Sequence, residues 1–115
     1  MKDELQTSTL NPQVKLLPLS GRLAVETEAQ VRPVLTRALQ QSPHGLVLDL
    51  KEVCFVSSAG LRLLLEIYKA AAASGIRIAM IRPQPEIYKL FKLAALDVTF
   101  AVSESEAEAV KNIGG

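Results

Sequence analysis

Apolar residues along the chain follow two spacings, and these predict alternating strands and helices. Strands are predicted at residues 6–10, 14–19, 46–50 and 76–81, with a last short strand within residues 96–102. Apolar residues at helical spacing predict helices that begin near Thr27, Ser57, Pro85 and Ser103. Because strands joined by crossover helices pair in parallel, we expect an α/β fold with a mostly parallel, four- to five-stranded sheet and about four helices.

The predicted strands differ in how deeply they should be buried. The segment 46–50 is almost continuously apolar, which is typical of a central strand covered on both faces. Residues 53–56 return to the sheet after the polar pair Lys51-Glu52. The strand at 14–19 is expected to end at Ser20-Gly21, with Pro18 near its end or at a free edge, because proline cannot donate to a ladder.

Two capping boxes mark predicted helix starts, at residues 27–30 and 103–106. Pro33 conflicts with the first box, because a proline beyond the first turn should kink the helix or move its start downstream. The helix after Ser57 is strongly amphipathic. Its buried stripe is predicted to consist of Leu61, Leu64, Leu65, Tyr68 and Ala72.

Composition limits the classes of function. The chain has 115 residues, 49% of them hydrophobic, which predicts a single domain over residues 1–115. A net charge of +1 gives no reason to expect binding to nucleic acid or to an anionic membrane. The N-terminus lacks the apolar core of a signal peptide, and no apolar run approaches the roughly 20 residues that a membrane helix needs. We therefore expect a protein of the cytoplasm.

Few side chains are available for catalysis or metal binding. One cysteine, Cys54, and one histidine, His44, argue against a disulfide framework and a structural zinc site. Cys54 is predicted to be a small core residue. Asp49 and Glu52 could bind magnesium, but capping of backbone groups is the simpler role. We predict no enzyme, no catalytic residue, no metal and no cofactor.

The most distinctive segment is the double serine at the junction of a buried strand and a long helix. Ser57 or Ser58 can cap the helix, but one cap needs only one hydroxyl, so the other is left free beside the small Ala59 and Gly60. A helix N-terminus tolerates an anion. A phosphate on the free serine would add about −1.5 to −2 charges and reverse the sign of the net charge.

Residues 48–62, LDLKEVCFVSSAGLR, resemble the signature of the STAS domain and especially that of bacterial anti-sigma factor antagonists. The likeness extends over nearly the whole chain. Supporting matches are Gly21-Arg22-Leu23, Gly75-Ile76, residues 87–91, Leu96-Asp97 and Phe100. The resemblance implies a STAS-like fold and a partner-switching function. In that family the unphosphorylated protein binds an anti-sigma factor that is itself a serine kinase, and this frees the sigma factor.

The resemblance also implies a phosphorylation site. The family's kinase phosphorylates a serine at this helix start, which ends the complex, and a PP2C-type phosphatase resets it. The acceptor position falls on Ser58. Two departures matter: Ser57 stands where many members have aspartate, and Ala59 where many have serine, so Ser57 is a rival acceptor. The partner-binding residues are expected to be Val53, Phe55, Val56, Ser57, Ser58, Ala59, Gly60 and Arg62.

Two other functions fit the same segment. The chain could be a docking or scaffold module of a larger sensory, stress or transport assembly, with Ser58 serving only as a helix cap. It could also be a small hydrolase with Ser57 or Ser58 as nucleophile, although no His or Lys stands at a motif spacing that would activate either serine. His44 would join a Ser-His-acid triad only if folding happened to bring it to the serines.

Overall fold

A computed structural model describes residues 5–114 of the chain and places strands and helices in alternation. The strands are β1 (Gln6–Thr7), β2 (Val14–Leu23), β3 (Gly45–Val56), β4 (Arg77–Ile81) and β5 (Val102–Ser103). The helices are α1 (Glu28–Gln40), α2 (Ser58–Ala73), α3 (Pro85–Leu93) and α4 (Glu106–Ile113). Within the described residues, no helix combines the length and apolar character that crossing a membrane requires.

The five strands form one sheet in the order β1-β2-β3-β4-β5. The short β1 pairs antiparallel with β2, and every other neighbouring pair is parallel. The predicted fold class, a mostly parallel sheet with crossover helices, is therefore confirmed. The described residues contain five strands and four helices, as expected.

The middle of β3 lies between two layers of helices. Leu46, Leu48 and Leu50 face the larger core, which α1, α2 and α3 cover. Val47 faces the opposite side of the sheet, where Ala109 and other residues of α4 cover it. Burial on both faces explains why this segment lacks the alternation of apolar and polar residues that marks a half-exposed strand.

Strand β3 is longer than the sequence predicts. It runs for twelve residues without a break at Lys51-Glu52. Its pairing with β4 ends at Asp49, so the rest of the strand pairs only with β2. Strand β2 likewise continues beyond its predicted end, to Leu23. Gly21 precedes a shift in the register between β2 and β3, and it adopts a positive φ of 77°, which glycine tolerates. Pro18 lies inside β2, next to a register shift and past the stretch paired with β1.

Two capping predictions are wrong in detail. The Thr27 hydroxyl donates back to the Arg22 carbonyl at 2.7 Å instead of capping α1, which nevertheless begins at Glu28 and continues through Pro33. Helix α4 is capped by Ser105 rather than Ser103, since Ser105 Oγ accepts from the Glu108 backbone N–H at 3.2 Å.

The buried stripe of α2 also differs from the prediction. Because α2 packs against both the sheet and α1, the stripe is centred on Leu64 and Ile67. Its buried members are Gly60, Leu63, Leu64, Ile67 and Ala71. Leu61, Leu65 and Tyr68 flank it and are half-buried, while Ala72 is exposed.

An ion-pair network joins the two long helices on their outer side. Arg32 of α1 contacts Glu28 Oε2 and Glu66 Oε2 of α2, both at 2.8 Å. The hydrogen bonds to Glu28 and Glu66 raise the pKa of Arg32. Glu66 is thereby held toward α1.

Candidate functional site

The end of β3 carries two bulges that determine which side chains reach the surface. Opposite β2, Pro18 pairs with Asp49 but Ser20 with Glu52, and Gly21 pairs with Val53 but Arg22 with Phe55. Each shift inserts one extra residue into β3, which turns the following side chains. From residue 50 to residue 56, every third side chain is buried instead of every second.

Cys54 is the extra residue of the second bulge. It is exposed, so its prediction as a core residue is wrong. Its neighbour Phe55 is 40% exposed, whereas Val53 and Val56 are buried on either side of the pair. The bulge therefore moves a thiol and an aromatic ring to the surface beside the start of α2.

Ser57 is the residue that caps α2. Its backbone is extended, its Oγ accepts from the Gly60 N–H at 3.2 Å, and its own N–H donates to the Leu23 carbonyl at 2.9 Å. These bonds hold the Ser57 hydroxyl against the helix end. The alternative in which Ser58 serves as the cap is therefore incorrect.

Ser58 is the first residue of α2, and its side chain is exposed. Among residues 5–114, no hydrogen-bond partner within 3.5 Å engages its hydroxyl. The neighbouring Ala59 is half-buried. Within the described residues, the Ser58 hydroxyl therefore makes no structural hydrogen bond and is accessible to an incoming molecule.

Gly60 allows the first turn of α2 to rest on the end of β2. A Cβ atom at this position would lie 2.1 Å from the Leu23 carbonyl oxygen and 2.8 Å from the carbonyl carbon. The same carbonyl oxygen accepts from the Ser57 N–H. Any side chain at Gly60 would therefore push the serine-bearing turn away from the sheet.

Arg22, near the end of β2, contacts both the end of β3 and the loop between β2 and α1. Its guanidinium carbon lies 4.2 Å from the centroid of the Phe55 ring, and its Nε donates to Glu26 Oε2 at 2.7 Å. The hydrogen bond from Arg22 lowers the pKa of Glu26. Val25, in the same loop as Glu26, is 75% exposed. We call the exposed residues Arg22, Val25, Phe55, Ser58 and Arg62 the Ser58 surface.

The predicted partner-binding residues divide into two groups. Phe55, Ser58 and Arg62 are exposed, whereas Ser57 and Ala59 are half-buried. Val53, Val56 and Gly60 are buried, so in the free protein they lie beneath this surface and support it, and their contact with a partner stays a prediction.

Sequence reasoning missed Val25 and the contacts of Arg22. Val25 lies in the loop between β2 and α1, outside the apolar stripes of both elements. An apolar residue outside both stripes is the sequence signal that could have identified it as a surface contact. The sequence contains no signal that Arg22 contacts Phe55, because the contact depends on the bulged pairing of β2 with β3.

The other candidate groups lie apart from the serines or have partners already. His44 precedes β3, whereas Ser57 follows it, so the strand separates them and they form no triad. Asp49 Oδ2 accepts from Arg82 at 2.7 Å, and Oδ1 accepts from the Lys51 N–H at 3.0 Å. Asp49 therefore acts as an ion-pair partner and a backbone cap.

The two serines should respond differently to substitution. We expect Ser57→Ala to lower the free energy of unfolding by about 1 kcal/mol, because it removes the cap of α2. Ser58→Ala should change it by less than about 0.5 kcal/mol, as is usual for surface positions. Urea denaturation of both variants beside the wild type measures this. A larger loss for Ser58→Ala would contradict the capping geometry.

Comparison with known proteins agrees with this architecture. An "Anti-sigma F factor antagonist" from Paenibacillus polymyxa is 29% identical over 102 residues, which cover 87% of this chain and 86% of that protein. The crystal structure of an anti-sigma factor antagonist from Mycobacterium paratuberculosis is 21% identical, with a TM-score of 0.83 over 99% of this chain and 94% of that one.

A third protein has been solved in a modified state. The Bacillus cell fate determinant SpoIIAA in its phosphorylated form is 21% identical, with a TM-score of 0.63 over 96% of this chain and 99% of that one. These likenesses establish a shared fold. The family model described as the STAS domain matches residues 7–109, which is most of the chain. This chain, whose mostly parallel sheet ends in a bulged β3 followed by the serine-capped α2, therefore belongs to the STAS domain family.

Proposed function

We propose that this protein is an anti-sigma factor antagonist that works by partner switching. In this proposal the unphosphorylated form binds an anti-sigma factor that is also a serine kinase, and binding releases the sigma factor. Phosphorylation of Ser58 then ends the complex, and a PP2C-type phosphatase restores the unmodified serine. The observation that carries the proposal is the exposed, unengaged hydroxyl of Ser58 on a partly apolar surface. The name of the Paenibacillus relative supports it.

The difference between the two serines favours Ser58 as the acceptor. The Ser57 hydroxyl accepts from the Gly60 N–H and donates to the Leu23 carbonyl at 3.5 Å, so its modification would remove a donor and disturb the first turn of α2. A phosphate on Ser58 needs no such loss, and it would stand at the positive end of the helix dipole. The phosphorylated form of the SpoIIAA structure is consistent with a modification carried on this fold.

The proposed transfer requires no catalytic group from this chain. The Ser58 Oγ attacks the γ-phosphorus of ATP, and a new oxygen–phosphorus bond forms. The bond between the γ-phosphorus and the bridging oxygen breaks, ADP leaves, and the hydroxyl proton passes to a base of the kinase. The substrate protein needs only to hold its hydroxyl in place and keep it accessible to the kinase. The exposed Ser58 hydroxyl at the start of the capped α2 meets both needs.

The surroundings of Ser58 explain how one phosphate could end binding. Phe55, three residues before Ser58, and Val25, two residues after the Leu23 that binds Ser57, expose apolar area that is suited to burial against a partner. A dianion at Ser58 would have to lose its hydration in such an interface, and this is costly unless the partner supplies cations. Because the proposed anti-sigma factor binds a sigma factor, the proposal places the protein in the cytoplasm.

Phosphopeptide mapping tests the acceptor. After incubation with ATP and the cognate kinase, we expect phosphate on Ser58 in the wild type and in Ser57→Ala, and none in Ser58→Ala. Phosphate on Ser57, or no phosphate when the kinase is active toward another substrate, would contradict the proposal.

A further inference from the structure

Arg62 lies one turn of helix after Ser58. A separation of four residues along α2 places both side chains on the same side of the helix, about 5–6 Å apart at their Cβ atoms. Both residues are exposed. The acidic member of an i,i+4 pair is better placed toward the N-terminus, and this is where a phosphorylated Ser58 would stand relative to Arg62.

The usual partner of Arg62 on its own helix is occupied. Glu66, four residues further along α2, has its Oε2 2.8 Å from Nη1 of Arg32, which also holds Glu28. Among residues 5–114, no carboxylate oxygen lies within 4.0 Å of the Arg62 guanidinium. The ion-pair network between α1 and α2 therefore leaves Arg62 uncommitted.

The neighbouring cation is less available. Arg22 is paired with Glu26 at 2.7 Å and lies over the Phe55 ring. A phosphate on Ser58 would have to compete with a carboxylate for Arg22, but within the described part of the chain it would meet no competing carboxylate at Arg62. A guanidinium can also bind two phosphate oxygens at once, which makes the pair stronger than one with a single contact.

We infer that the phosphate on Ser58 is bound by Arg62 of the same helix. Phosphorylation would then change the Ser58 surface twice, by adding a dianion and by withdrawing the guanidinium of Arg62 from the partner. The regulatory meaning of this pair rests on the proposed function. The pair itself does not, since it depends only on the phosphoserine and on α2.

A phosphorus NMR titration of the full chain tests the pair without any kinase. Phosphoserine is inserted at position 58 during translation, and the midpoint of the second phosphate ionisation is compared among variants. Removing a neighbouring cation disfavours the dianion, so we expect Arg62→Gln to raise the midpoint by about 0.3–0.5 pH unit. Arg62→Lys keeps the positive charge but cannot make the bidentate contact, so it should give an intermediate midpoint.

Lys69→Gln is the matched control. Lys69 is exposed on the same helix eleven positions after Ser58, which is about 16 Å along the axis and beyond the Debye length of about 8 Å at physiological salt. Its loss should move the midpoint by less than about 0.1 pH unit. Equal midpoints for Arg62→Gln and Lys69→Gln would overturn the inference. Because no kinase is present, a failed pair and a failed partner switch give separate results.

Discussion

Replacing Ser58 with aspartate should reduce affinity for the proposed anti-sigma factor kinase by about 100-fold, or about 2.7 kcal/mol. The substitution adds a charge where Phe55 and Val25 offer apolar area, and a buried charge without a partner costs several kcal/mol. Ser58→Ala should bind within about threefold of the wild type, because the hydroxyl has no structural partner to lose. Titration calorimetry with the purified kinase, in the absence of ATP, measures all three affinities.

A serine far from the site supplies the control for this experiment. Ser74 is exposed and follows the last residue of α2, at the opposite end of the helix from Ser58. Ser74→Asp makes the same chemical change and should leave the affinity unaltered. If Ser58→Asp, Ser58→Ala and the wild type bound equally well, the switch would be refuted. The alternative of a constitutive docking module would then describe the protein better.

The second large effect concerns stability. We expect Gly60→Ala to lower the free energy of unfolding by about 3–4 kcal/mol. Its Cβ would lie 2.1 Å from the Leu23 carbonyl oxygen, so α2 must move or the end of β2 must distort. Overpacking costs about 1–3 kcal/mol and falls at the upper end of that range here, because the contacted atom belongs to the backbone. The weakened bond from the Ser57 N–H adds about 1 kcal/mol. The melting temperature should fall by about 12 °C or more.

Gly75→Ala is a control that introduces backbone strain without steric crowding. Gly75 has a φ of 73°, and nothing would lie within 4 Å of an added Cβ. The substitution should therefore cost only the roughly 1–2 kcal/mol of a left-handed alanine. Differential scanning calorimetry of both variants measures the difference. Equal losses would contradict the close approach of α2 to β2. Gly60→Ala should also weaken kinase binding, since the displaced turn carries Ser58.

The fold could be predicted because its main signals are local. The apolar segment around Leu48 indicated a strand covered on both faces, and the helices on either side required parallel pairing. Pro85 at the first position of α3 marked that helix start correctly. Each of these signals depends on residues close together in the chain.

The details of the site could not be predicted, because they depend on pairing between distant segments. Cys54 looked like a core residue, and only the bulge opposite Gly21 and Arg22 turns it outward. Either serine could have capped α2 as judged from the sequence. The choice of Ser57 follows from the Leu23 carbonyl, which binds its N–H from another strand.

The unequal lengths of β3 and β4 separate two kinds of position along one strand. Up to Asp49, β3 pairs with β2 on one side and β4 on the other and contributes side chains to the core, so substitutions there disturb the whole fold. Beyond that point, Lys51, Glu52, Cys54 and Phe55 are exposed. Changes at these four positions alter surface chemistry at little cost in stability. If this extension binds the proposed partner, a cell with several such proteins could keep their partners distinct by varying it while the scaffold stays constant.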